Sequence, residues 1–155
     1  MNISGTGHYS GGDSMADSRE TIRSLFDLQA ENYIQQDSVG MLDHYAPEEE
    51  LLFWSSEGAQ INGHDALKFW YETLFNQFEI LSVKYRIESA WEGPDQISCS
   101  STWQLETRLR DVEWAVVELQ FLRATHVLRQ YQGAWKIAHI HSSPIGQASA
   151  DFPAS

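Results

Sequence analysis

Basic residues are scarce. Ten Lys and Arg stand against 22 Asp and Glu, for a formal net charge of −12. So acidic a surface repels phosphate backbones and anionic headgroups, and no cluster of Lys or Arg offsets it. Neither a nucleic acid nor a membrane surface is therefore expected as a partner, and the acidity reads as a device for solubility. Cysteine is almost missing too. Cys99 stands alone, which rules out an internal disulfide and fits a reducing, cytoplasmic setting. No apolar run reaches the ~18 residues that span a bilayer. The N-terminus lacks the charged-then-apolar pattern of a secretory signal. There is no phosphate-binding loop, no Gly-x-Ser-x-Gly and no paired-cysteine motif.

What remains is a core-forming chain. Its 155 residues suit one domain, and a 42% apolar content with six Trp, seven Phe and six Tyr supplies a core of large flat groups. Residues 1–16, rich in Gly and Ser, read as a disordered N-terminal tail, with Met15 as an alternative start. Residues 17–145 read as the domain and 146–155 as a loose C-terminal tail. A helix is expected from Asp17, with Asp17 and Glu20 as a capping box and Ile22, Leu25, Phe26, Gln29 and Tyr33 at helical spacing. A short helix over Val39–Tyr45 stops at Pro47. Leu51–Trp54 reads as a strand, and a third helix follows Asn62-Gly63, with Leu67, Trp70, Tyr71, Leu74 and Phe78 on one stripe.

From Leu81 the apolar period drops to two. Leu81, Val83, Tyr85, Ile87 and Trp91 share one face, then Ile97, Cys99, Trp103, Leu105 and Leu109 after a Gly93-Pro94-Asp95 turn. A third long strand covers Trp114–Arg129, and a last one Trp135–Ser142 after Gln132-Gly133. Helices followed by hairpin-linked strands define an α+β domain whose curved antiparallel sheet packs on the helices and leaves a concave mouth for a ligand.

Parity selects the candidate residues. On the third long strand Arg123 and Thr125 follow Ala115, Val117, Leu119 and Phe121, so a guanidinium is expected to point inward. It then needs an acidic partner, such as Glu57 in the Ser-Ser-Glu-Gly loop, or an anionic ligand. On the last strand His139 and His141 share the side of Trp135 and Ile137. They fit a hydrogen-bonded core pair or a proton-moving pocket pair. A zinc site would need a third ligand, and His126 falls on the face opposite Arg123, so no metal is assigned. Tyr33 offers a phenol to the pocket or packs as core, and Trp54 and Trp103 are pocket walls or plain core, with core the preferred reading for Trp103. The even-numbered face of the third long strand (Trp114, Val116, Leu122, Leu128) is apolar enough to pack on a partner subunit.

These segments carry a resemblance. Arg123-Ala124-Thr125, Val127-Leu128-Arg129 and the run Gly133-Ala134-Trp135-Lys136-Ile137-Ala138-His139-Ile140-His141-Ser142-Ser143 resemble the end of the SnoaL-like group of the NTF2-like superfamily. They are also similar to the association domain of calcium/calmodulin-dependent kinase II. Gln36-Asp37, Met41-Leu42 and Tyr45-Ala46-Pro47 resemble that group's helix–helix turn, and Asn62-Gly63-His64-Asp65-Ala66-Leu67 its third helix. The likeness runs from about Ser18 to Pro144. It implies a cystatin-like cone of three N-terminal helices on a curved sheet, usually a homodimer through the outer sheet face. Three departures stand out. Phe53 falls where ketosteroid isomerases carry their catalytic Asp. The acid–Arg–acid set of related epoxide hydrolases is missing. His126 falls where the kinase association domain has a pocket Arg.

The expected function is a pocket for a small carbonyl or carboxylate compound. As an enzyme it would be a cofactor-free cyclase, isomerase or dehydratase type, with Arg123 holding an oxyanion and His139 or His141 moving a proton. The rival is a non-catalytic association module.

Overall fold

The computed structural model describes residues 11–47 and 49–146, with side chains from residue 17 onward. The expected tails over residues 1–10 and 147–155 lie outside the described residues. Helix α1 spans Gly11–Gln35, so it begins six residues before the expected start and Asp17 lies within it instead of capping it. Its stripe of Ile22, Phe26 and Gln29 is buried. Helix α2 (Ser38–Leu42) is capped by Asp37, whose carboxylate accepts from the Gly40 amide at 2.9 Å. Strands β1 (Leu52–Trp54) and β2 (Gln60–Asn62) form a short hairpin; β2 carries little pattern and was not foreseen. Gly63, at φ 84°, turns the chain into α3 (His64–Gln77), which buries Leu67, Tyr71 and Phe75.

Four long strands follow: β3 (Phe78–Glu92), β4 (Gln96–Leu109), β5 (Glu118–Tyr131) and β6 (Ala134–Pro144). Gln132 and Gly133, at φ 51° and 82°, form the tight β5–β6 turn, where two left-handed residues match the strand twist. The six strands run in the order β2-β1-β6-β5-β4-β3. β1 pairs with β6 in parallel, so the sheet is mixed, not wholly antiparallel. Three helices are present as expected, but α2 is only five residues long. The core fills the concave side, where α1 and α3 close over the sheet. Among the described residues no helix is long and apolar enough to cross a membrane.

Irregularities in the ladder decide which side chains face the core. On β3, register shifts at Ile80/Ser82 and Ile87/Ser89 interrupt the alternation. After the second, Ala90 is buried and Trp91 turns outward, 57% exposed. β6 breaks between residues 137 and 139: Leu128 pairs with Ile137, Val127 with His139, and Ala138 is the extra residue. One inserted residue reverses the facing of everything beyond it. Ile137 and Ile140 are therefore both buried, while His139 and His141 lie on the outer face.

β5 differs for another reason. Residues 112–117, whose apolar alternation set the expected parity, belong to an exposed connection, with Trp114 85% exposed. Within the strand itself the inward row is Leu122, Ala124, His126 and Leu128. Leu122 and Leu128 are core residues, not a partner-facing surface.

Candidate functional site

The concave side holds a partly open cavity of about 60 Å³. Its walls come from the α1 stripe (Gln29, Tyr33), from Tyr45, Phe53 and Trp70, and from the inner rows of β4, β5 and β6. None of its thirteen lining residues is Asp, Glu, Lys or Arg. A water occupies roughly 10–15 Å³ on such a measure, so the space takes a few waters or a ligand fragment of a few heavy atoms.

His126 is the outstanding group. Its side chain is 1% exposed, and its Nδ1 has no hydrogen-bond partner. The ring packs against Phe26 with centroids 4.8 Å apart and lies 6.4 Å from Trp103. Burial, with a smaller contribution from His139, pushes its pKa down to about 3, so the imidazole is neutral. Cys99 is its cross-strand partner, and burial pushes that thiol up to about 12. A thiol and an imidazole shifted apart in this way do not form the thiolate–imidazolium pair of a cysteine nucleophile.

Facing His126 is a wall of phenols. Gln29 Nε2 donates to the Tyr45 hydroxyl at 3.4 Å, and the Tyr45 and Tyr71 hydroxyls are 2.6 Å apart. The Tyr71 ring stands edge-on to Tyr33, with centroids 5.9 Å apart. Burial raises the pKa of all three phenols, so they too stay neutral. The interior is polar at a few points and charged at none. Deeper along β4, Trp103 Nε1 donates to Ser101 Oγ at 2.8 Å, which fixes the indole as part of the wall.

Of the residues given a ligand-binding or catalytic role from sequence, the structure brings Tyr33 alone to this cavity. Arg123 and Thr125 are exposed on the outer face, beside Arg86, Glu88 and Thr102. Glu88, not Glu57, is the carboxylate near Arg123. Glu57 is exposed in the β1–β2 turn. Trp54 lies outside, 39% exposed, with His139 and His141 each edge-on to its ring at 5.2 Å. His139 Nδ1 is 2.9 Å from the Leu52 carbonyl, so it donates to backbone instead of to a pocket. Among the described residues no three His, Cys, Asp or Glu side chains are grouped to hold a metal ion.

Sequence reasoning missed His126 and Gln29 as site residues. A signal for His126 existed: Leu122, Ala124, His126 and Leu128 are themselves an alternating row. The competing odd-numbered row was longer only because it borrowed residues from the connection.

The geometry defines a class first: helices closed over a curved mixed sheet, with an uncharged cavity between the layers. The SnoaL-like domain family matches residues 22–147, and the chain belongs to that family. None of the curated proteins matches the chain. Among solved structures, a ketosteroid isomerase-like protein from Erwinia carotovora atroseptica superposes with a TM-score of 0.70 at 16% identity, over 82% of this chain and 95% of that one. A candidate dehydratase of the NTF2-like family from Streptomyces avermitilis gives 0.64 at 13%, over 84% and 98%. A candidate calcium/calmodulin-dependent protein kinase type II association domain from Thiobacillus denitrificans gives 0.60 at 15%, over 80% and 94%. At such identities the likeness is one of fold.

Proposed function

We propose that this protein binds a small, uncharged, largely apolar molecule inside the cone. The observation that carries this reading is His126, a fully buried imidazole with an unpartnered nitrogen beside an apolar cavity. A buried polar atom left without a partner costs about 1–3 kcal/mol, so this one calls for an explanation, and a molecule bound in the adjoining cavity is the one proposed. The absence of charged side chains from the cavity lining argues against a carboxylate ligand, since an anion there would be desolvated with no cation to meet it. Of the carbonyl and carboxylate compounds expected from sequence, this reading keeps the neutral carbonyl, and it adds neutral hydroxyl compounds.

The same features favour binding over proton-transfer catalysis. An imidazole with a pKa near 3 is a weak base at neutral pH, and no carboxylate orients it. The cyclase, isomerase or dehydratase reading, consistent with two of the structural likenesses, would require the ligand itself to shift that pKa. A second reading rests on the outer face. Trp54 and Trp91 are exposed there, and a homodimer would cover them; light scattering at working concentration tests it, and a monomer removes it.

The binding reading is tested by two-dimensional NMR with neutral ketones and alcohols of up to six heavy atoms, run beside the matching carboxylates. Neutral compounds should shift signals of Gln29, Tyr33, Tyr45 and His126, and carboxylates should leave them in place. Shifts confined to the Arg123 side of the sheet, or carboxylates binding best, would refute it.

A further inference from the structure

The cavity occupies only part of the concave face. Among the described residues its walls draw on β4, β5 and β6 but on none of β3. Yet Val83, Tyr85 and Ile87 of β3 also pack against the core, beneath α1. Trp103 is the partition between the two halves. It lines the cavity from β4 and stands across the ladder from Tyr85, with ring centroids 5.1 Å apart. Phe26 of α1 meets the same indole edge-on at 4.8 Å. A loosely packed apolar wall can step aside by changing rotamer. This one is pinned. Its Nε1 donates to Ser101 Oγ at 2.8 Å, and Ser101 Oγ donates to the Ala124 carbonyl at 3.4 Å. Trp103 and Ser101 are both buried, so a swing of the indole would strand its N–H where water does not reach. Tyr85 behind it cannot retreat either, because its hydroxyl donates to Asp27 Oδ1 of α1 at 2.5 Å.

From this bracing we infer that Trp103 sets the size of the ligand: the cone takes a short, acyclic neutral carbonyl or hydroxyl compound, and the pinned indole keeps a six-membered ring out. The inference rests on the binding reading above and narrows its ligand class. A dry apolar cavity of about 150 Å³ holds benzene, and this one has about 60 Å³. The open side does not lift the limit. A bulkier molecule projects there into water, where its added apolar surface is not buried and adds no affinity. Without the indole, the space it fills joins the cavity. Phe26 and the anchored Tyr85 then become its far wall, so the added space is enclosed.

The experiment titrates acetone and cyclohexanone into the full chain, follows the NMR signals of Gln29 and His126, and reads the ratio of the two affinities. The native chain should bind cyclohexanone no more tightly than acetone. In Trp103→Ala the ratio should rise about tenfold or more in favour of cyclohexanone, since each further buried methylene is worth about fourfold. Trp70→Ala is the control. Trp70 lines the cavity from α3 but is only partly buried, so its loss opens the wall toward water. That variant should weaken both ketones without raising the ratio. A native chain that prefers cyclohexanone, a Trp103→Ala variant without the gain, or an equal gain in Trp70→Ala overturns this inference; acetone bound in the native cavity then leaves the binding reading intact. If neither ketone enters the native cavity, the binding reading falls. In that case cyclohexanone bound by Trp103→Ala alone still upholds the partition, and cyclohexanone bound by neither chain removes it. Should Trp103→Ala not fold, Trp103→Leu decides by the same ratio, with a rise of about threefold expected from its smaller added space.

Discussion

Three imidazoles sit within one short stretch of the β5–β6 ladder, yet they occupy different worlds. His126 pairs across the ladder with Ile140, and its flanking rungs are Thr125–His141 and Val127–His139. His126 points into the core, neutral and without a partner for Nδ1. His139 and His141 stand outside against Trp54, one of them bonded to backbone. Residue type is the same and backbone distance is small; the pleat alone separates them. A histidine's chemistry here is set by which side of the sheet it faces, and for His139 and His141 one extra residue at Ala138 determines that.

The comparison is broken most forcefully from inside. Phe26, fully buried against Tyr85, Trp103 and His126, is the packing that keeps the inner imidazole dry. Phe26→Ala should lower the unfolding free energy by about 3–5 kcal/mol, read by urea denaturation; a loss under 1 kcal/mol would mean that the inner face is not close-packed.

Acid provides the next largest effect. His126 has a folded pKa of about 3 against roughly 6.5 unfolded. Between those values the unfolded chain binds the proton and the folded chain does not. Stability attributable to this group is therefore complete above pH 6.5 and falls as pH is lowered, by about 1.4 kcal/mol per unit. Burial lowers the pKa of His44 as well, with the same sign. Replacing His126 with Leu should flatten the acid limb of a stability–pH profile without abolishing it. An identical slope in the variant would show that the inner imidazole is not neutral in the native state.

Outer-face changes should be smallest. Arg123→Ala and His141→Ala remove exposed groups, for which shifts within about 0.5 kcal/mol are ordinary. Neither should alter binding of a neutral ligand. A loss of ligand affinity with unchanged stability would restore the outer face as a site.

Much of the architecture was legible in the sequence, because helix stripes such as Ile22, Phe26, Gln29 and the period-two rows of β3 and β4 leave strong signals. The family likeness was legible in the Trp135-to-Ser143 segment. Facing was less so. A bulge leaves almost no mark when the extra residue is an alanine, here between Ile137 and His139, that fits either face. The β5 row was misread because Trp114–Val117 alternates like a strand while lying in a connection. Both faces of β5 also carry apolar residues, Phe121 and Val127 outside against Leu122 and Leu128 inside, so alternation could not separate them. Tyr33 was found because it sits on an unambiguous helix stripe; His126 was lost because its strand was not.

The sharpest test is the stability of His126→Leu at neutral pH, measured beside its ligand binding. An imidazole kept for a ligand is a liability to the empty fold, so an apolar side chain of similar size should leave stability unchanged or raise it by about 1 kcal/mol while the binding of neutral ketones is lost. A variant destabilised by several kcal/mol that still binds them would show His126 to be a structural residue and contradict the account.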